Sequence, residues 1–232
     1  MLMAPLQAQV SFGVRGGANW AKMAASKGMV QDVGNRLGFE AGVALGIPMA
    51  DWFTLGPEVY YVQRGYHREA FPPGFFPEER LILGYADLAV LGRIHAADGP
   101  ARPYVTVGAT VGRILDARLY QTNSWTKEEE AIVLDPSGVT MGPWSEKRPM
   151  SQWNLGLCGG LGFTFSIGTS QLLIEGRYRH GLTNIWNGVP VTDINGAPVG
   201  ELNGYDRSIS ASLAWLIPLG QQPSRGQAPT AQ

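Results

Sequence analysis

Apolar and polar side chains alternate with a period of two residues through most of this chain. In the clearest stretch, 37–47, one set of alternate positions is large and apolar and the other is small or charged: Leu37, Phe39, Ala41, Val43, Leu45 and Ile47 against Gly38, Glu40, Gly42, Ala44 and Gly46. Because successive side chains of a β-strand point to opposite faces of the sheet, this pattern predicts a strand with large apolar side chains on one face and small or polar side chains on the other.

The same alternation occurs in eight segments, which are 10–20, 37–47, 53–64, 80–93, 103–114, 152–165, 172–181 and 207–219. Long connections follow the first, third, fifth and seventh segments, at 21–36, 65–79, 116–150 and 183–206. The other connections are short turns. Each segment has roughly ten residues, enough for a strand to cross a bilayer at the usual tilt. This pattern predicts an all-β fold: a single eight-stranded antiparallel up-and-down transmembrane β-barrel with four long loops at one end and short turns at the other.

The charged residues within these segments decide which face of the barrel meets water. Nine charged residues fall on the face opposite to the large apolar side chains: Arg15, Glu40, Glu58, Arg64, Asp87, Arg93, Glu175, Arg177 and Arg179. In a soluble barrel of the lipocalin type, the competing fold, they would lie outside and the apolar face inside. Facing lipid, each arginine would cost about 2–4 kcal/mol at mid-bilayer. We therefore expect a paired charge network inside the barrel, with the apolar face towards lipid.

Composition favours the membrane barrel. Only 16% of the residues are charged, and the chain has 7 Trp, 8 Tyr and 8 Phe. Yet it contains no apolar run of the ~20 residues that a spanning helix needs. Aromatic residues lie near the ends of the predicted strands, as interfacial girdles require; these are Trp20, Trp52, Phe53, Tyr61, Trp153, Phe165 and Trp215.

Several kinds of partner and site are not expected. The formal net charge of −1 comes without a basic stripe, which argues against nucleic acid. The three histidines, His67, His95 and His180, do not have metal-ligand spacing. The single cysteine, Cys158, forms no internal disulfide and is expected to be a small interior residue. We therefore expect no cofactor and no metal.

The two ends of the chain differ from the barrel segments. Residues 1–9 read Met-Leu-Met-Ala-Pro-Leu-Gln-Ala-Gln and are interpreted as the remnant of a secretory signal peptide. The barrel is expected over 10–219. Residues 220–232, rich in Pro, Gln and Ser, are predicted to be a disordered polar tail.

Several motifs resemble a known group. Residues 12–17 read Phe-Gly-Val-Arg-Gly-Gly, 55–61 read Leu-Gly-Pro-Glu-Val-Tyr-Tyr followed by Arg64-Gly65, and 103–105 read Pro-Tyr-Val with Gly108 close behind. The glycine-rich sixth strand and 175–185, Glu-Gly-Arg-Tyr-Arg-His-Gly-Leu-Thr-Asn-Ile, complete the set. Together they resemble the outer-membrane β-barrel proteins of Gram-negative bacteria labelled "porin family" or PorT-like. The resemblance implies the barrel fold and a place in the outer membrane.

The function expected from these features is non-enzymatic, with a structural or interaction role through the extracellular loops. An eight-stranded barrel has an interior just wide enough for side chains. At most a narrow polar channel would pass Arg15, Glu40, Glu58 and Arg177. The expected partners are outer-membrane lipid and, at the long loops, a protein.

Two alternative functions stay open at this point. The PorT-like resemblance implies a component of outer-membrane secretion or assembly machinery. A lipid-modifying enzyme would need a base and a nucleophile at one rim, for which His180 with Ser208 or Ser210 are the candidates. No G-x-S-x-G motif supports that alternative, and the chain is expected not to be an enzyme.

Overall fold

The computed structural model describes residues 9–25, 34–69, 78–96, 99–122, 129–134, 150–186, 190–192, 198–201 and 203–220. The predicted signal-peptide remnant lies outside these residues except for Gln9, and the predicted disordered tail lies outside them except for Gly220.

The described residues form antiparallel strands. These are β1 (Ser11–Ala25), β2 (Arg36–Ala50), β3 (Phe53–Arg68), β4 (Glu78–His95), β5 (Ala101–Thr122), β6 (Glu129–Leu134), β7 (Trp153–Ile167), β8 (Ser170–Gly181), β9 (Pro190–Thr192), β10 (Pro198–Glu201) and β11 (Gly204–Pro218). Within the described ranges, no helix is long and apolar enough to cross a membrane.

Eight of these strands close into a ring, in the order β1, β2, β3, β4, β5, β7, β8 and β11. The ring is closed by β1 and β11, which pair from Ser11 opposite Pro218 to Ala25 opposite Gly204. All neighbours are antiparallel, so the predicted eight-stranded up-and-down barrel is confirmed. Beyond the ring, β6 pairs with the end of β5, and β9 and β10 form a small separate hairpin.

One end of the barrel has short connections. Asp51 and Trp52 form the turn between β2 and β3. Gly168 begins the two-residue turn between β7 and β8 with a φ of 62°, which glycine adopts without the steric cost of a side chain. The two ends of the ring meet here as well, since the Leu219 amide donates to the Val10 carbonyl at 2.7 Å.

The outer wall of the barrel carries the apolar positions predicted to face lipid. Large apolar side chains are exposed on every strand of the ring, and Leu161 on β7 is 68% exposed. Trp52, next to the start of β3, and Trp153, the first residue of β7, are also exposed, as is Trp20 within β1. An outer wall of this kind is unfavourable in water and suits a lipid environment.

The strands extend further at the long-loop end than the alternation predicts. The segments 21–36, 65–79, 116–150 and 183–206 were expected to be loops. In the structure β1 continues to Ala25, β3 to Arg68 and β5 to Thr122, while β6, β9 and β10 lie within the last two segments. The reason is that the interior becomes apolar at this end. Residues such as Met23, Leu81 and Leu119 face inward there, so the contrast between the two faces is lost.

A β-bulge adds to this difference. Tyr85 of β4 pairs with Ile114 of β5, but the preceding Gly84 pairs with Asp116, which leaves Leu115 as an extra residue. A bulge reverses the phase of inward and outward side chains beyond it. In a regular strand, an even-numbered and an odd-numbered residue would face opposite sides. Because of the bulge, Ile114 and Leu119 both face inward and are buried.

Candidate functional site

The barrel interior is the candidate functional site because it holds the ionisable residues singled out by the sequence. The structure places all nine there, each no more than 5% exposed: Arg15, Glu40, Glu58, Arg64, Asp87, Arg93, Glu175, Arg177 and Arg179. They occupy inward positions of their strands, where the pleat turns alternate side chains away from lipid. A tenth charged residue, Asp206 on β11, lies among them and is 3% exposed.

Six of these residues form what we call the Glu58 cluster: Arg15, Glu40, Glu58, Arg93, Glu175 and Arg177. Glu58, on β3, accepts hydrogen bonds from three arginines on three other strands, Arg15, Arg93 and Arg177. The Arg177 Nη1 to Glu58 Oε2 distance is 3.0 Å. One carboxylate thus joins β1, β4 and β8 across the centre of the barrel.

Other groups of the Glu58 cluster have further partners, although Arg93 Nε and Nη1 have no hydrogen-bond partner among the described residues. Arg15 also donates to Glu40 and to the Ser212 hydroxyl, the latter at 3.0 Å. Arg177 Nε donates to Glu175 Oε1 at 2.7 Å, and the Tyr104 hydroxyl donates to Glu175 Oε2 at 3.0 Å.

The other four residues form the Asp206 cluster, nearer the long-loop end: Arg64, Asp87, Arg179 and Asp206. Arg64 makes a two-point contact with Asp87, and its Nε lies 3.2 Å from Asp206 Oδ2. Arg179 Nη1 donates to the same Asp206 oxygen at 2.7 Å. The uncharged side chain of Asn154 also contacts Asp206 and Arg179, at 3.3 Å and 3.1 Å.

Each cluster is electrically neutral when its members are ionised. The Glu58 cluster has three arginines and three carboxylates, and the Asp206 cluster has two of each. Buried charges destabilise a fold unless they are paired and hydrogen-bonded. Neutrality within each cluster supplies the pairing without a bound counter-ion.

Asp206 is the member of the two clusters that sequence reasoning missed, because it was placed at the end of the predicted loop 183–206. A charge count offers the signal that would have found it. The nine predicted residues comprise five arginines and four carboxylates, which leaves one positive charge unmatched. Asp206 also shares a face with Ser208, Ser210 and Ser212, so extending the last strand by a single step would have included it.

Apolar layers lie on both sides of the charged interior. Towards the long-loop end are buried apolar and aromatic side chains, which include Met23, Tyr66, Leu81, Leu83, Leu119, Met150, Ile185 and Trp186. Towards the turn end are Ala44, Tyr104, Leu173 and Leu216. The interior is therefore filled with side chains from one end to the other.

The residues proposed for lipid hydrolysis do not come together. Ser208 and Ser210 are buried and face the barrel interior. His180 lies in the outward phase of β8 and contacts Tyr178, with its Nδ1 3.4 Å from the Tyr178 hydroxyl. The sheet separates the base from both hydroxyls, whereas a nucleophile and its base must lie within hydrogen-bond reach.

Cys158 was expected to be a small interior residue, and the histidines were not expected to bind a metal. Cys158 is a free, buried thiol. Among the residues that the structure describes, no three His, Cys, Asp or Glu side chains are grouped as metal ligands.

Comparison with known proteins gives one family. The family described as "Outer membrane protein beta-barrel domain" matches residues 7–187. No curated protein matches the chain.

Solved structures with a similar chain course include three outer-membrane proteins. Neisserial surface protein A is 18% identical, with 88% of this chain and 95% of that chain covered and a TM-score of 0.39. The attachment invasion locus protein Ail of Yersinia pestis, in complex with a heparin analogue, is 10% identical, with coverages of 90% and 99% and a TM-score of 0.42. The outer-membrane protease OmpT of Escherichia coli is 9% identical, with coverages of 94% and 99% and a TM-score of 0.46.

Proposed function

The chain belongs to the outer-membrane protein β-barrel domain family, and we propose that within this family it is a closed, non-enzymatic barrel with a structural or interaction role. Its location is the outer membrane of a Gram-negative bacterium. In such barrels the longer loops are extracellular and the short turns periplasmic. The long loops are therefore the part of the chain that would bind a protein partner.

The observation that carries this proposal is the filled interior. The Glu58 and Asp206 clusters cross the barrel, and an apolar layer lies on either side of them. A conducting pore needs a continuous polar path, which two apolar layers interrupt. The narrow channel considered from the sequence alone, past Arg15, Glu40, Glu58 and Arg177, passes through residues that bind one another rather than water or a solute.

The absence of enzymatic activity is part of the same proposal. It is supported by the separation of His180 from Ser208 and Ser210 by the sheet. Every arginine of the two clusters is engaged with a carboxylate of the same cluster. None of these arginines is left to stabilise a developing negative charge on a substrate.

Within the family, the sequence motifs favour the porin-family or PorT-like group, chiefly through 175–185. The group name refers here to the fold and the location of the chain, and it does not imply that the barrel conducts ions or solutes. A part in secretion or assembly machinery would be a special case of the interaction role, with the machinery as the partner at the loops.

Conductance across a planar lipid bilayer tests the proposal. We expect the purified, folded chain to insert without producing discrete conductance steps, since its interior holds no continuous polar path. A conducting porin of the same membrane, inserted under the same conditions, is the control for bilayer and electrode. Reproducible single-channel steps from this chain would contradict the proposal.

A further inference from the structure

Two cations on the outer wall of the barrel have no counter-ion in the part of the chain that the structure describes. Lys22 on β1 and Arg207 on β11 are direct cross-strand partners, and both side chains lie in the outward phase of their strands. Within the described residues neither makes an ion pair, and the buried Arg207 Nε has no hydrogen-bond partner. Like charges placed directly opposite each other in a sheet destabilise it.

The other outward cations at the long-loop end are compensated. Arg80 Nη2 lies 2.6 Å from Glu129 Oε1, and Arg118 Nε lies 3.5 Å from Asp116 Oδ2. The Arg113 guanidinium lies over the Trp153 ring at 5.7 Å. The Lys22–Arg207 pair therefore differs from the other outward cations at this end, because no group among the described residues compensates it.

The position of the pair indicates where that anion comes from. Trp20 on β1 precedes Lys22 by two residues and is opposite Ile209 on β11, which follows Arg207 by two residues. On β1 and β11 this is the last row of two exposed, large apolar side chains before the cations. The two cations lie one step beyond it, about 7 Å further along the strands. A change from apolar to cationic side chains is expected where headgroups replace acyl chains.

The wall below the pair has room for an acyl chain. Ala18 on β1, Ala211 on β11 and Gly176 on β8 are consecutive cross-strand partners with small or no side chains. A Cβ atom built on Gly176 would meet nothing within 4 Å. The row therefore forms a shallow groove, flanked on the headgroup side by Trp20, Ile209 and Tyr178.

We propose that Lys22 and Arg207 bind the phosphate of a phosphorylated lipid in the outer leaflet, with one acyl chain of that lipid lying over Ala18, Ala211 and Gly176. A phosphate accepts hydrogen bonds from both cations and removes the repulsion between them. The site depends on membrane embedding but not on the proposed non-conducting, non-enzymatic role, so either proposal can fail without the other.

Native mass spectrometry of the full chain in a neutral detergent tests the site with bisphosphorylated lipid A as the probe. The double variant Lys22→Gln and Arg207→Gln removes both cations. The control is the double variant Arg113→Gln and Arg118→Gln, which removes the same total charge from two cations that have partners within the chain. We expect the first variant to bind lipid A about tenfold more weakly or worse, because charge-assisted hydrogen bonds are lost. The second is expected to bind as the unaltered chain does.

Two further arms identify the ligand. Lipid A stripped of its phosphates should bind the unaltered chain as weakly as lipid A binds the double variant at 22 and 207. Inorganic phosphate at the same concentration should not displace lipid A, because it lacks the acyl chains that the groove holds. Equal loss of binding in both double variants, or displacement by inorganic phosphate, would overturn the proposal.

Stability without lipid separates a binding role from a structural one. Removing two uncompensated like charges should leave the urea midpoint of the lipid-free barrel unchanged or slightly higher. A clearly lower midpoint for the variant at 22 and 207 would show that the pair supports the fold, and would overturn the assignment of a lipid site.

Discussion

Replacing Glu58 by glutamine is expected to lower the free energy of unfolding by about 3–5 kcal/mol, the usual cost of removing one partner from a buried ion pair. Glu58 accepts hydrogen bonds from Arg15, Arg93 and Arg177. Glutamine has nearly the same volume, so no cavity forms. The substitution leaves the Glu58 cluster with a net charge of +1 and turns one hydrogen-bond acceptor into a donor facing other donors.

Reversible urea unfolding of the barrel in lipid vesicles, followed by tryptophan fluorescence, measures this loss. Glu129→Gln is the control, because Glu129 pairs with Arg80 on the exposed wall, where ion pairs contribute about 0–1 kcal/mol. If Glu58→Gln changed stability by no more than Glu129→Gln does, the interior network would not be a determinant of the fold.

Replacing Leu161 by arginine is expected to destabilise the barrel by about 2–4 kcal/mol, the cost of an arginine on the lipid face near the bilayer middle. Leu161 is highly exposed on the outer wall of β7, between Trp153 at one end of the strand and Phe165 near the other. In a water-soluble barrel the same change would place a charge on a solvated surface and have little effect.

The matched control is Ile167→Arg on the same strand. Ile167 is the last residue of β7, at the turn end of the barrel. At the membrane interface an arginine costs only about 0–1 kcal/mol. Urea unfolding in vesicles should rank the two variants in this order. Equal stability of the two variants would show that the wall is not embedded to the expected depth.

The barrel could be predicted from the sequence wherever lipid lies outside and charges lie inside. In β2 this contrast places Phe39 and Glu40 on opposite faces, and the structure has the same phase. At the long-loop end the contrast disappears. Met23 and Leu119 face inward there, and the bulge at Leu115 shifts the phase of β5. A rule based on period two ends the strands too early under both conditions.

It was easier to predict which residues lie in the barrel interior than to predict which of them form ion pairs with one another. Inward phase alone selects a residue such as Glu58, but its contact with Arg177 joins positions 119 residues apart in sequence. Such contacts depend on ring closure and on the register of strands that are not sequence neighbours. Asp206 was missed for a local reason: it follows Asn203 and Gly204, residues typical of turns.

Spin labelling at position 161 tests most directly whether the apolar wall faces lipid. Leu161→Cys would be labelled in a Cys158→Ala background and compared with a label at Gly220→Cys, beyond the end of β11. In vesicles, dissolved oxygen should relax the label at 161 more strongly than a water-soluble nickel complex does, and the order should reverse at 220. A label at 161 that the nickel complex relaxes as strongly as the label at 220 would place this wall in water and contradict the account.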